Sequence, residues 1–350
     1  MATRVALAGY GYWGPNLARN IGQVERAELA GIFDPDPGKR ELAAKRHPGT
    51  AVLSSWEETL DSQRFDALVI AAPAETHARL AEEALQAGLD ILVEKPLALS
   101  VEDAFRLTLL ADDLERVLMV GHTYEYNPAV EKIRVLLETG TLGAVFYGYT
   151  QRLNLGRIRD DIDAWWNLAP HDISIFNFLF QASPIRVWGQ GSHHLNPALA
   201  DVVFATLEYP GNILAHIHVS WLDPSKERKM TLVGAEKMVV FDDMDADARL
   251  RIYDKKAIPS ESPDQYGLYH TKLHAGDILI PQLPMTEPLF AECRHFVHCV
   301  ETRERPRSDG RGGVRVVQAL EAVSRSIANG GGPVELESLP FPAAGLRDLR

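Results

Sequence analysis

The chain has 350 residues, 46% of them hydrophobic and 24% charged, with a formal net charge of −12. That length exceeds what one core usually fills, so two domains are expected. The acidic balance argues against a nucleic-acid partner, whose phosphates demand a basic face, and no run approaches the ~18 apolar residues of a membrane span.

The first 120 residues alternate short apolar runs with helical patterns. Strands are expected at 4–8, 29–33, 67–71, 91–93 and 117–120, and helices at 15–21, 39–46, 78–86 and 101–113. Gly88 closes the third helix and Ser100 caps the fourth. Runs that are apolar on both faces, alternating with helices, predict a doubly wound parallel sheet. Near 121–127 the pattern changes. A helix over 128–137 leads into longer alternating strands at 145–153, 185–191, 202–209, 213–221, 229–233, 237–241 and 250–253. The Pro- and Gly-rich stretch 259–288 reads as a long loop, and helices over 289–302 and 314–328 finish the second unit. The expected division is a dinucleotide-binding domain at 1–122, an α+β domain at 123–340 and a tail at 341–350. Cys293 and Cys299 lack the spacing of a zinc site or a disulfide framework and read as buried small hydrophobes. The first residues, MATRVALAGYGYWG, hold too short an apolar run for a secretory signal, so the expected location is the cytoplasm.

Gly9-Tyr10-Gly11-Tyr12-Trp13-Gly14 follows the first strand and opens the first helix, the context in which a GxGxxG string gains a physical meaning. Gly9 permits the turn, Gly11 lets backbone approach a pyrophosphate, and Gly14 lets helix and strand pack closely. The helix N-terminus adds N–H groups and partial positive charge. Asp34, ending the second strand, can accept the adenosine ribose hydroxyls and would repel a 2′-phosphate. NAD is therefore expected over NADP, with Lys39 and Arg40 near enough to weaken the preference.

Glu94-Lys95-Pro96 sits at the carboxyl end of a sheet strand, where open α/β sheets bind ligands. A partly desolvated Lys95 there would have a lowered pKa and could exchange protons. A solvated Glu–Lys pair before a proline turn is the alternative, and the bond before Pro96 is a candidate cis peptide. In Trp165-Trp166-Asn167-Leu168-Ala169-Pro170-His171-Asp172, Pro170 predicts a helix start, with Asn167 placed to cap it. His171 would then lie at a helix N-terminus, neutral and available as a base or hydrogen-bond partner. His122, Tyr124 and Asn127 fall at the domain junction, where a substrate could reach the cofactor. Arg152, Arg157 and Arg159 could clamp a diphosphate or sugar carboxylate, or pair with Asp160, Asp161 and Asp163. Lys226, Arg228 and Lys229 read as a solvated strand end. His193 and His194 have no carboxylate or cysteine partner, so no metal is expected.

The glycine fingerprint, the Ala72-Pro73-…-His77 turn, Glu94-Lys95-Pro96 and Asn167…His171 occur in one order and spacing that resembles the Gfo/Idh/MocA oxidoreductases. The resemblance spans the chain through Glu287-Pro288-Leu289. It implies a Rossmann domain followed by a largely antiparallel open sheet, often used to build homodimers or homotetramers. It also implies that Ala72, Pro73 and His77 serve the cofactor site, that Glu94 contacts a cofactor ribose, and that Lys95 transfers a proton or orients substrate. His171 would face the reacting hydroxyl. Many members carry aspartate where this chain has Asn167, which leaves open whether Lys95 or His171 is the base. The Asn167–Asp172 string is similar to members acting on nucleotide-linked amino sugars such as UDP-N-acetylglucosamine. Hydride transfer between NAD and a sugar secondary hydroxyl, at C3 of such a substrate, is the expected reaction. An NAD-dependent glycosidase, a free-sugar or inositol dehydrogenase and a silent dinucleotide-binding regulator are the alternatives.

Overall fold

The computed structural model describes residues 2–156, 158–258 and 272–341. The first unit runs β1 (Thr3–Ala8), α1 (Gly14–Ile21), β2 (Ala27–Phe33), α2 (Pro37–Arg46) and β3 (Ala51–Val52). It continues through β4 (Ala67–Ile70), α3 (Ala74–Gln86), β5 (Asp90–Glu94), α4 (Val101–Asp113) and β6 (Leu118–Gly121). Polar side chains fix the starts of α2 and α4: Asp36 accepts from the Gly38 N–H and Ser100 from the Asp103 N–H. All six strands are parallel in the order β3-β2-β1-β4-β5-β6. The order reverses between β1 and β4, and that switch point opens a crevice at the strands' carboxyl ends, where Gly9, Ala71 and Glu94 lie.

The second unit is α5 (Pro128–Glu138), β7 (Val145–Leu153), α6 (Ala164–Phe180), β8 (Arg186–Ser192), β9 (Val202–Tyr209) and β10 (Ile213–Ser220). Next come β11 (Glu227–Gly234), β12 (Met238–Asp242), β13 (Leu250–Ile258), β14 (Lys272–Leu279), α7 (Pro288–Thr302), α8 (Gly310–Ala328) and β15 (Val334–Glu335). Its sheet has the order β14-β13-β12-β11-β7-β10-β9-β8-β15, and only the β10–β7 pair is parallel. Helices α5, α6 and α8 cover one face, burying Trp165, Phe176, Ile217 and Leu320 in a shared core. The other face is open, and Tyr147, Tyr149, Phe204 and Leu214 stand exposed on it.

Four expectations need correction. The loop read over 259–288 contains β14, an edge strand whose residues are all exposed and so carry no two-face pattern to read; residues 259–271 lie outside the described residues. Helix α6 begins at Ala164, capped by Asp163, whose carboxylate accepts from the Trp166 N–H at 2.9 Å. Pro170 is therefore interior, where it removes the N–H that the Trp166 carbonyl would otherwise accept. Tertiary burial of Trp165, Ile173 and Phe176 overrides that local signal. Asn167 is consequently a helical residue rather than the cap. Finally, α7 and α8 pack back on the first unit: Leu289, Phe296 and Val300 join the core of β1 and α1, while Val314 and Val317 join that of β5 and α4. Sequence order had assigned both helices to the second unit; α8 does bury Val316, Leu320 and Val323 in that unit's core as well, whereas α7 packs on the first, because apolar periodicity does not say which sheet a helix will meet.

Candidate active site

The two terminal glycines of the fingerprint are held by backbone contacts. Gly9 has φ +102°, and a Cβ there would sit 2.2 Å from the Ala71 carbonyl oxygen. At Gly14 a Cβ would sit 2.1 Å from the Gly9 oxygen. Over Gly11 the space is open, bounded only by the end of Lys39 at 4.0 Å. Helix α1 begins there with no side-chain cap and no acid in its first turn, so its donors face that space. Asp34 is buried and accepts the Tyr10 N–H at 2.7 Å and the Asp36 N–H at 2.9 Å. Each of its oxygens keeps a second lone pair for a ribose hydroxyl. Lys39 approaches the carboxylate at 3.8 Å, whereas Arg40 donates to the Asp34 and Pro35 carbonyls. An open backbone cradle and an anchored carboxylate fit NAD.

Tyr12, Trp13, Ala72, Glu94 and Lys95 form one side of a cavity of about 530 Å³. Tyr124, Asn127, Arg152, Asn167 and His171 form the other. Lys95 spans the two, its ammonium donating to the Asn167 carbonyl at 2.9 Å. Burial pushes Lys95 down to about 8, with Glu94 pulling back and Arg152 and Arg159 adding to the fall. Glu94 is pushed up to about 7 by burial, against the attraction of Lys95. His171 lies about two turns into α6. Burial, then Lys95 and Arg152, hold it well below its ordinary value, and its Nδ1 is buried without a hydrogen-bond partner. The imidazole is neutral as the sequence suggested, but burial and neighbouring cations take the place of the expected helix terminus. The Asn167 Oδ1 accepts from Trp221 Nε1 at 3.4 Å, so the amide is oriented at the cavity wall.

Three residues expected at the site have other work. Arg152 faces the cavity, but its guanidinium forks onto Asp172 at 2.8 and 3.1 Å, with both side chains buried. The same guanidinium stacks 4.5 Å above the Tyr124 ring, which meets His171 edge-on at 5.1 Å. Burial opposes its charge, yet Asp172 and Tyr124 hold its pKa above the ordinary value. Arg152 thus lines the cavity and, through Tyr124, buttresses His171. His77 is buried, with Nδ1 at 2.7 Å from the Pro96 carbonyl and Nε2 at 2.9 Å from that of Ala72, so it joins two loops of the crevice. His122 is buried behind the cavity, both ring nitrogens without partners among the described residues, and burial, then Lys95, push it down to about 3. Pro73 precedes α3 on the surface, and the Lys95–Pro96 bond is cis. Arg157 lies outside the described residues. Arg159 is paired with Asp161 and also lines the cavity.

Conversely, Lys226 and Arg228, read as a solvated strand end, line the cavity, and so do Asp243 and Arg249. No local pattern marks the last two; they arrive through sheet pairing. A second cavity of about 540 Å³ between α4 and the α7–α8 connection contains none of the motif residues.

Residues 3–122 match the family described as the oxidoreductase family with an NAD-binding Rossmann fold, and residues 130–240 match the GFO/IDH/MocA C-terminal domain. The UDP-N-acetylglucosamine 3-dehydrogenase of Acidithiobacillus ferrooxidans is 27% identical, covering 90% of this chain and 94% of that protein. A solved structure of the enzyme of that name from that organism superposes with a TM-score of 0.78 at 26% identity, covering 94% of this chain and 98% of the other. The D-apiose dehydrogenase of Paraburkholderia graminis is 23% identical, covering 97% and 91% of the two chains.

Proposed function

Because the chain belongs to the GFO/IDH/MocA oxidoreductases, we propose that it transfers hydride at a secondary hydroxyl or ketone of a nucleotide-linked sugar, at C3 of a compound such as UDP-N-acetylglucosamine. At the coarser level it is an NAD-dependent dehydrogenase acting on a sugar CH–OH group. The meeting of the Lys95 amine with α6 in the cavity that also holds His171 carries the dehydrogenase reading, and similarity to the UDP-N-acetylglucosamine 3-dehydrogenase supports the finer one.

Bound NAD supplies the hydride acceptor, C4 of its nicotinamide. In the direction of oxidation, neutral Lys95 removes the hydroxyl proton. His171, uncharged and buttressed through Tyr124, holds the same oxygen by a hydrogen bond. The backbone carbonyl of Asn167 orients Lys95, a contact independent of the side chain at that position. The cavity walls position the sugar, and positioning supplies much of the acceleration.

A panel of UDP- and dTDP-sugars with NAD, followed at the NADH absorbance band, tests this. At least one nucleotide sugar should turn over; turnover of free inositols or glucose alone would exclude the nucleotide-linked substrate. Lys95 must be neutral to accept a proton and is pushed down to about 8. Oxidation kcat/KM should therefore rise about tenfold per pH unit below that value and level off above it. The reverse reduction, which needs the ammonium, should decline above it. His171, held neutral, should add no limb in that range.

The same reading divides the chain at 122/123. It assembles the protein as a homodimer or homotetramer through the open sheet face, which the exposure of Tyr147, Tyr149, Phe204 and Leu214 supports. Sedimentation at micromolar concentration should give an even multiple of 38.8 kDa; a monomer would refute the assembly. The free, buried thiols Cys293 and Cys299 suit the reducing cytoplasm.

A further inference from the structure

Arg228 on β11 stands directly opposite Arg152 on β7 in the sheet register, so two like charges share one face. Arg152 is neutralised by Asp172. Arg228 has no such partner: the nearest carboxylate, Asp243, is 3.6 Å away, and Arg249 approaches that same carboxylate at 4.0 Å. Both separations exceed hydrogen-bonding distance. Asp243 instead accepts a hydrogen bond from the Tyr124 hydroxyl, at 3.0 Å. Among the described residues, then, two guanidiniums share one carboxylate and give it no hydrogen bond. Among the described residues the Arg249 Nε is moreover buried without an acceptor, although the side chain as a whole is partly exposed. A buried cationic donor left without an acceptor is costly, and native structures supply one. Lys226 adds a cation at the same wall, where Glu227 and Asp243 supply the carboxylates. Three cations thus stand with two carboxylates, which leaves positive charge in excess on this wall of one cavity, in a chain whose net charge is −12.

We infer that Arg228 and Arg249, with Lys226, form the anion-binding end of the substrate cavity and hold a phosphate or carboxylate carried by the sugar. This deepens the sugar-dehydrogenase reading and rests on it. Arg228 lies close enough to His171 to contribute to its neutrality, so the anionic group sits near the reacting carbon's hydrogen-bond partner. The substrate would bridge from this wall, past Tyr124, to Lys95. Arg152, locked to Asp172, takes no direct part.

The test is calorimetric titration of the NAD-loaded protein with UDP, inorganic pyrophosphate, glucuronate and glucose. It is run on the wild type and on Arg228→Gln, Arg249→Gln and the double variant, with Lys45→Gln as a control for loss of a surface charge. At least one anionic probe should bind, glucose far more weakly, and each arginine substitution should weaken anion binding about tenfold or more. On an anionic substrate KM should rise by a similar factor while kcat stays within about twofold, since the lost contact holds ground and transition state alike. Binding of UDP or pyrophosphate without glucuronate assigns a phosphate; the converse assigns a carboxylate. Unchanged NAD affinity establishes that a variant is folded. Should a variant lose it, the wild-type anion affinity must still fall with added salt. The anion end is overturned if no anion binds the wild type, if the double variant binds anions as tightly, or if sugars turn over with unaltered KM. If UDP binds through these arginines but no sugar is oxidised, the dehydrogenase reading fails and the anion end stands.

Discussion

Replacing Lys95 with methionine lowers kcat by about 10²–10⁴-fold and leaves NAD affinity within a few-fold of the wild type. The side chain keeps its length and apolar stem but loses the amine that reaches the Asn167 carbonyl at 2.9 Å. The dinucleotide cradle is built elsewhere, by Gly9, Gly11, Gly14 and Asp34, so cofactor binding is spared. Loss of the proton acceptor should also remove the pH limb near 8, a signature that a merely structural lysine would not produce. Steady-state oxidation rates across pH, with NAD binding followed by quenching of protein fluorescence, read both effects. A kcat within tenfold of the wild type, with the limb intact, would transfer the proton-accepting role to His171. In that event His171→Asn should show the larger loss.

The second large effect is on stability. Arg152→Met leaves Asp172 buried with no partner for its charge. Breaking a buried pair in this way costs roughly 3–5 kcal/mol, because the remaining carboxylate has neither water nor a counter-ion. Exposed pairs such as Lys45–Glu41 contribute far less. Urea titration should show the loss as a lower midpoint. Removing both charges, as Arg152→Met with Asp172→Leu, should recover much of it, since the cost lies in the orphaned charge rather than in the missing attraction. A single-variant loss below about 1 kcal/mol would mean that water reaches Asp172. The same substitution removes the cation beneath Tyr124, so the edge-on contact with His171 should loosen and activity should fall beyond what unfolding explains.

The pair also shows how catalysis and stability share parts here. Asp172 follows His171 on one helix, and Arg152 holds that helix to β7. Tyr124 fills the gap between guanidinium and imidazole and sends its hydroxyl to Asp243. The imidazole is thereby fixed by packing from three chain segments that lie far apart in sequence.

Features governed by neighbours along the chain were legible from the residues alone. The alternation of β-branched runs with capped helices specified the parallel sheet. Gly9, Gly11 and Gly14 announced their separate tasks by spacing: backbone forbids a Cβ at Gly9 and Gly14, while Gly11 leaves the space open for a close approach. Lys95 could be placed at a strand's carboxyl end, and Asn167 and His171 one turn apart, from period alone. What required the folded molecule were the encounters between distant segments. Pro170 signalled a helix start that the burial of Trp165 and Phe176 overrode. Arg152 carries the same side chain as Arg228, yet only the register of β7 and β11 and the position of α6 decide which is neutralised by Asp172 and which shares Asp243. Arg249 has no sequence pattern around it at all. Propensity and periodicity act over a few residues, whereas the charge state and availability of a side chain depend on whatever the rest of the chain brings within a few ångströms of it.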